Sequence, residues 1–362
     1  MTSTKKTNDD CTDWGSDTDT PPSPITVEDA RNARAVIDPF LAATPLLQNP
    51  VLSHRLGANI FVKLENSQAM GVFKIRGTIN LLAAMNSADR SRGMVTATRG
   101  NFGMALAQAS AMYGADCTVF VPQGNSPDKN RAVEALGGKI EVKGHDFDAA
   151  WDASVRHARE HGKVSVHPAK RAELVAGQAT VALEMIEQAV EPLDYVFVPV
   201  GGGSLAAGTT TVFKALSPST RIIAVQAENA PAFHHAWHTG QYKPMVAAKT
   251  IADGLATRVP VRYTLSMMRD LDDFVLVTEE DICAAIRCYA HTIHQLAEGG
   301  GAATLAAALN MQEQLAGSRV GLVLTGGNID NKPLLQALQV DSALHPPLAV
   351  PDFPLASLDY GN

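Results

Sequence analysis

The sequence has few cysteines, no long apolar run and no excess of positive charge. Its four cysteines, at positions 11, 117, 283 and 288, include no CxxC pair, so we expect free thiols in a reducing compartment. No stretch reaches the roughly 18 consecutive apolar residues of a membrane helix. Residues 1–24 are polar and hold no apolar signal segment. We therefore predict a cytoplasmic protein without a membrane partner.

The charge balance argues against a second class of partner. The 30 Lys and Arg residues are outnumbered by 37 Asp and Glu residues, which gives a formal net charge of −7. A protein of this charge repels a phosphate backbone, so we expect no nucleic-acid partner. A small molecule is the expected ligand.

Hydrophobic residues make up 46% of the 362 residues, which is enough for a large core. Single cores stop growing at roughly 250–300 residues, so we expect two lobes. Short apolar runs alternate with helical stretches, which predicts an α/β fold with parallel sheets buried on both faces. Strands are predicted at 60–65, 94–98, 117–121, 139–142, 195–200, 221–227, 274–277 and 320–325. Predicted helices include 101–113, 146–161, 172–188, 281–297 and one that begins near Thr26 with a capping box to Asp29.

Lys74 is the first candidate for chemistry. It follows the apolar pair Val72 and Phe73 and opens a predicted helix, and both surroundings disfavour the charged form of its amine. A neutral amine is what attack on a carbonyl requires. Most lysines in helices are exposed to solvent, so the position of Lys74 alone does not distinguish a reactive amine from a solvated one.

A glycine run follows the predicted strand 195–200. Gly201, Gly202 and Gly203 allow backbone N–H groups to converge on an anion, and the helix that starts over Ser204 and Leu205 adds partial positive charge. The run lacks the lysine of a nucleotide P-loop and the GxGxxG spacing of a dinucleotide fold. It predicts a phosphate cradle, and a tight turn from strand to helix is the alternative.

A third segment, residues 325–330, also runs from a strand end into glycines. The hydroxyl of Thr325 can donate to or accept from a ring nitrogen without carrying charge. An ordinary turn is the alternative here.

These segments, together with the loop 98–102, resemble the fold type II pyridoxal-phosphate enzymes, specifically the threonine/serine dehydratase group. Further matches lie at 44–46, 251–256 and 298–303, and the resemblance covers about residues 25–345. It implies two lobes of parallel-rich twisted sheet covered by helices, the tryptophan synthase β-like fold. We accordingly predict a flexible tail over 1–24, a large cofactor-binding domain over 25–90 and 168–346, a small domain over 91–167 and a C-terminal tail over 347–362.

The resemblance implies a role for each matching residue. Lys74 would form a Schiff base with pyridoxal 5'-phosphate and later move the α-proton of the substrate, while Phe73 would pack against the cofactor ring. The cofactor would also be bound by Asn101 at its 3′ oxygen, by Gly201, Gly202, Gly203, Ser204 and Leu205 at its phosphate, and by Thr325 at its pyridine nitrogen. A neutral partner for that nitrogen favours release of a β-substituent over transamination.

The implied activity is that of a dehydratase, or ammonia-lyase. It would convert a β-hydroxy amino acid to a 2-oxo acid and ammonia by α,β-elimination, the substrate being L-threonine, L-serine or a 3-substituted serine such as 3-hydroxyaspartate or phenylserine. Relatives are commonly dimers or tetramers, so we expect a homo-oligomer. A β-replacement synthase of the cysteine synthase type and a non-catalytic ligand-binding module on the same fold are the alternatives. The segments 251–256 and 325–328 favour the dehydratase.

The substrate loop departs from the Ser-Ser-Gly-Asn-His of the family, because Thr98, Arg99, Gly100, Asn101 and Phe102 stand there. Thr98 and the backbone N–H groups of the loop would bind the α-carboxylate of the substrate. Arg99 cannot exchange protons as the second serine does in racemising relatives, so we predict negligible racemase activity. Arg99 either pairs with a second substrate carboxylate or is structural. Phe102 is expected to make the substrate pocket more apolar.

A cation site of the relatives is altered as well. Glu228 matches its glutamate, but His234 stands six residues later, where an aspartate is expected. We therefore predict no metal site.

Overall fold

Two β-sheets form from the apolar runs of the chain. The computed structural model describes residues 23–339. Its strands are β1 (Leu46–Gln48), β2 (Asn59–Leu64), β3 (Met94–Ala97), β4 (Cys117–Val121), β5 (Lys139–Val142), β6 (Val164–Ser165), β7 (Tyr195–Pro199), β8 (Arg221–Ala227), β9 (Asp273–Val277) and β10 (Arg319–Leu324). The larger sheet has the order β1-β2-β10-β7-β8-β9 and the smaller sheet the order β5-β4-β3-β6. The pairs are parallel except β1 with β2, which is antiparallel.

Helices cover both sheets, as buried parallel strands require. They are α1 (Val27–Ile37), α2 (Pro50–Leu56), α3 (Lys74–Ala84), α4 (Ser87–Arg92), α5 (Asn101–Met112), α6 (Pro127–Ala135), α7 (Phe147–Glu160), α8 (Ala172–Gln188), α9 (Ser204–Leu216), α10 (Ala232–Thr239), α11 (Arg262–Ser266), α12 (Glu279–Thr292), α13 (Gly299–Asn310), α14 (Gln312–Leu315) and α15 (Asn331–Gln339). Short 3₁₀ turns lie at Glu65–Ser67 and Asp253–Leu255. In the described range, no helix combines the length and the apolarity needed to cross a bilayer.

The α/β class and the parallel-rich sheets are confirmed, and the predicted strands match the observed ones to within a residue at each end. The capping box is also confirmed, because the Thr26 side chain accepts from the backbone N–H of Asp29 at the start of α1. The four-stranded sheet lies within the range assigned to the small domain. The exact domain boundaries stay predictions. The predicted tails lie outside the described residues, apart from Ser23 and Pro24.

The predicted helix over 281–297 is wrong at its C-terminal end. Helix α12 ends at Thr292, and His294 has a φ of 56°, a left-handed conformation that interrupts the helix. The turn lets Glu298 precede α13 as its N-cap, with its backbone N–H donating to the carbonyl of Gly326. The apolar residues 293 and 297 are buried in this turn, so burial alone did not distinguish it from helix.

A buried ionic network joins strand β2, helix α3 and helix α8. The guanidinium of Arg76 donates to both carboxylate oxygens of Glu65, at 2.8 Å each, and to those of Glu184 at 2.5 and 2.9 Å. The amine of Lys63 lies 2.6 Å from Glu184 and 2.6 Å from the carbonyl oxygen of Thr44. Each of the four charged side chains is at most 3% exposed. Burial would raise the pKa of Glu184, but Arg76 and Lys63 outweigh it and lower that pKa.

We expect Arg76→Met to lower the free energy of unfolding by about 3–5 kcal/mol, because Glu65 and Glu184 would stay buried without their partner. Urea unfolding followed by circular dichroism measures the loss. Arg131→Met is the matched control, since Arg131 pairs with Asp128 at the surface, and it should cost less than about 0.5 kcal/mol. Equal losses in the two variants would contradict the role of the network.

Candidate active site

Lys74 is the first residue of α3, and its side chain is half-buried. Its amine lies 4.9 Å from the centroid of the Phe73 ring, which is itself buried. Burial lowers the pKa of Lys74 to about 8, although the carboxylate of Glu298 opposes the shift. A useful fraction of this amine is therefore neutral near pH 7, and the solvated alternative for Lys74 does not describe its surroundings.

The segment after β10 fixes the start of α3. The backbone N–H of Phe73 donates to the carbonyl of Thr325, and the N–H of Gly327 donates to the carbonyl of Gly71. Val72 and Gly326 form an antiparallel bridge between the same two segments. The chain thus places the Thr325 side chain, which is 4% exposed, beside the residues that carry Lys74.

The glycine run forms a tight cradle at the N-terminus of α9. A Cβ on Gly201 would lie 2.0 Å from the carbonyl oxygen of Gly254, and a Cβ on Gly202 would lie 2.8 Å from the Cβ of Ala169. Gly203 has a φ of 85° and is the N-cap of the helix. Within residues 23–339, no backbone N–H of these three glycines donates to a backbone carbonyl. Free donors at a helix N-terminus are suited to an anion such as a phosphate.

Asn101 begins α5 and is held by the side chains of Glu298, the N-cap of α13, and Asn328, in the segment after β10. Its Nδ2 donates to both oxygens of Glu298, at 2.7 and 2.9 Å. Its Oδ1 accepts from Nδ2 of Asn328 at 2.9 Å, and that nitrogen also donates to the carbonyl of Met70. Glu298 is 7% exposed, and this burial raises its pKa, while Lys129, Asn101 and Lys74 act to lower it.

One cavity brings most of the predicted site residues together. The predicted cofactor-binding residues that line it are Phe73, Lys74, Asn101, Gly201, Gly202, Gly203, Ser204, Leu205 and Thr325. The lining residues that the sequence did not single out are Pro199, Gly254, Leu255, Glu298 and Gly300. Four of these five lie in the segments 251–256 and 298–303. Those segments matched the family, but no function was predicted for their residues. The match itself was the signal in the sequence that could have identified them as site residues.

The rest of the substrate loop does not line this cavity. Phe102 is 2% exposed and packs in the core. This position does not support the predicted contact between Phe102 and the substrate. The Thr98 hydroxyl accepts from the backbone N–H of Gly100 at 3.0 Å, which shapes the turn. Arg99 is half-buried, and its Nε has no hydrogen-bond partner among the described residues.

The altered cation site lies away from these residues. Glu228 is exposed, and the ring of His234 packs against those of His238 and Phe274. The described residues include no group of three or more His, Cys, Asp or Glu side chains placed to hold a metal ion.

The family model of the pyridoxal-phosphate dependent enzymes matches residues 37–326 of the chain. The chain belongs to this family. The L-threonine ammonia-lyase of Thermotoga maritima is 35% identical over 307 residues, which are 84% of this chain and 76% of that protein. Maize serine racemase has a TM-score of 0.82 at 31% identity, over 87% of this chain and 97% of its own. The processed form of a threonine deaminase isoform from Solanum lycopersicum has a TM-score of 0.83 at 27% identity, over 89% and 92%.

The cofactor of this family is pyridoxal phosphate, and the cavity offers groups that fit its parts. The amine of Lys74 suits the aldehyde, and Thr325 is an uncharged partner for the ring nitrogen. The N–H groups of Gly201–Gly203, which donate to no backbone carbonyl of the described residues, suit the phosphate. A Cβ at position 201 would collide with the carbonyl oxygen of Gly254, which accounts for glycine there.

Protein without cofactor should show a reactive amine at Lys74. Only the neutral amine is acylated, so we expect labelling to rise with a midpoint near the Lys74 pKa of about 8. Mass spectrometry after acetic anhydride labelling over a pH series measures it. In Glu298→Gln the midpoint should fall further, because Glu298 raises the pKa of Lys74. A midpoint near the usual lysine pKa of about 10.4 would contradict the assignment.

Proposed function

We propose that the chain is a pyridoxal-phosphate-dependent ammonia-lyase that converts a β-hydroxy amino acid to a 2-oxo acid and ammonia. The observation that carries the proposal is the lysine whose burial lowers its pKa to about 8, facing the same cavity as an anion cradle. Relatives named L-threonine ammonia-lyase and threonine deaminase support it. We also infer that the protein is a cytoplasmic homo-oligomer with an amino acid as its small-molecule substrate. Its net charge of −7 supports the absence of a nucleic-acid partner.

In the mechanism that we infer, Lys74 has two tasks. Its Nζ would hold the cofactor, and as a neutral amine it would take the α-proton of the substrate. Bound pyridoxal phosphate supplies an electron sink for the charge left at the α-carbon. The N–H groups of Gly201–Gly203 and the start of α9 would bind the phosphate, and Phe73 would pack beside the ring. The substrate loses the α-proton and the β-hydroxyl, and hydrolysis of the product gives the oxo acid and ammonia.

Thr98 and the backbone of the loop 98–102 are proposed to bind the α-carboxylate. Arg99 does not line the cavity, but it is half-buried and its Nε has no hydrogen-bond partner among the described residues. Because a guanidinium is a ready partner for a carboxylate, we infer that Arg99 favours a substrate with a second acidic group. Such a substrate is 3-hydroxyaspartate. The same residue cannot donate a proton to the opposite face of the substrate, so we infer that racemisation is negligible.

The proposed activity is tested on Lys74. Borohydride reduction of the holoenzyme should leave a cofactor adduct on Lys74, and threonine or serine should give a 2-oxo acid without an added nucleophile. Lys74→Ala should lose the adduct and lower turnover by about 10²–10⁴-fold or more, the usual contribution of a positioned base. Lys139→Ala, on the exposed strand β5, is the control. An adduct on another lysine would overturn the proposal, and dependence of turnover on an added nucleophile would favour a β-replacement synthase.

The substrate class is tested on Arg99. We expect Arg99→Ser to lower kcat/KM for 3-hydroxyaspartate by about 10–100-fold, the value of a charged hydrogen bond of about 1.5–3 kcal/mol. Threonine has no second carboxylate, so its kcat/KM should change little. Arg99→Lys, which keeps the charge and loses the fork, should fall between. Equal losses on both substrates would remove the second-carboxylate role.

A further inference from the structure

A single buried lysine joins the two sheets beside the cavity. Lys129 lies in the first turn of α6, which packs on the smaller sheet, and is 8% exposed. Its amine lies 3.0 Å from Oδ2 of Asp253 and 3.7 Å from Oδ2 of Asp330. Both aspartates belong to segments of the other half of the molecule, one beside Gly254 in the cavity wall and one just after Asn328. Lys129 therefore connects three segments through one charge.

The stem of Lys129 also supports the loop that carries Asn101. A Cβ on Gly100 would lie 2.6 Å from Cδ of Lys129, so the lysine packs directly against the residue before Asn101. The neighbouring Ser126 donates from Oγ to Oδ1 of Asp330 at 2.7 Å, which holds the start of α6 against the same carboxylate. Movement of Lys129 would shift the loop and both aspartates together.

Glu298 is surrounded by charged and polar groups from several elements. Glu298 is faced by Lys74 from α3, by Lys129 from α6, by Asp253 from the 3₁₀ turn and by the amide of Asn101. Burial is the largest influence on Glu298 and raises its pKa; Lys129 lowers that pKa, and Asp253 raises it. The two members of the ion pair thus act on Glu298 with opposite signs.

We propose that Lys129 is a positioning residue, whose charge clamps the two sheets across the cavity and supports the Glu298 carboxylate that holds Asn101 in place. The expected effect of Lys129 on turnover rests on the proposed function. Lys129 does not line the cavity and is not assigned a contact with the substrate or cofactor.

Opposite charge changes test this role. The acid limb of kcat/KM and the pH dependence of pyridoxal-phosphate affinity, followed by the absorbance of the bound cofactor, are measured for each variant between about pH 5 and pH 9. We expect Lys129→Met to move both acid midpoints up by about one pH unit. Asp253→Asn should move them down. Lys129→Arg keeps the positive charge and should leave both midpoints as in the unaltered protein. Lys139 is exposed, so Lys139→Met should also leave them unchanged.

A purely structural clamp would make both variants of the pair shift the midpoints in the same direction, or not at all, and either result overturns the proposal. If Lys129→Met does not fold, the proposal is still tested by the other two variants. It requires a downward shift of the midpoints in Asp253→Asn and unchanged midpoints in Lys129→Arg.

Thermal unfolding without added cofactor tests the clamp independently of the proposed function. Lys129→Met and Asp253→Asn should each lower Tm, and the double variant should lose less than the sum of the two, because both remove one interaction. Additive losses would overturn the clamp. A missing adduct at Lys74 would instead remove the ammonia-lyase proposal and leave this coupling in place.

Discussion

The position of the reactive lysine depends on a set of buried charges two residues away from it. Arg76 is in the same first turn of α3 as Lys74, and its guanidinium is fixed by Glu65 and Glu184 on two other elements. A buried guanidinium that loses its carboxylates costs several kcal/mol, so the turn has little freedom to rotate. The direction of the Lys74 side chain follows from this constraint, because one residue of rotation would move it about 100° around the helix.

The cavity is assembled from strand ends, and its polar groups restrain one another. The segment after β10 bonds to the backbone on both sides of Val72, and through Gly326 it also fixes Glu298. Glu298 in turn holds Asn101, which begins a helix of the smaller sheet. The surroundings of Lys74 are therefore assembled from both halves of the molecule, and no single motif provides them.

The sequence predicted the α/β class, most strands and nine of the fourteen residues that line the cavity, because apolar periodicity and glycine runs are local signals. It missed β1 and β6, which are three and two residues long and are defined by pairing with distant strands. It also missed the break after Thr292, where burial continues through a turn. Lys129 could not be found in this way, because its importance comes from carboxylates 124 and 201 positions further along the chain.

Both halves of the molecule contribute to the wall of the cavity, and this links ligand binding to folding. Asn101 comes from the smaller sheet and most other lining residues from the larger one, so a molecule bound there is held only when both halves are native. A ligand at 100 times its dissociation constant then adds about 2.7 kcal/mol to the native state. Saturation with its ligand would accordingly slow proteolysis of the protein.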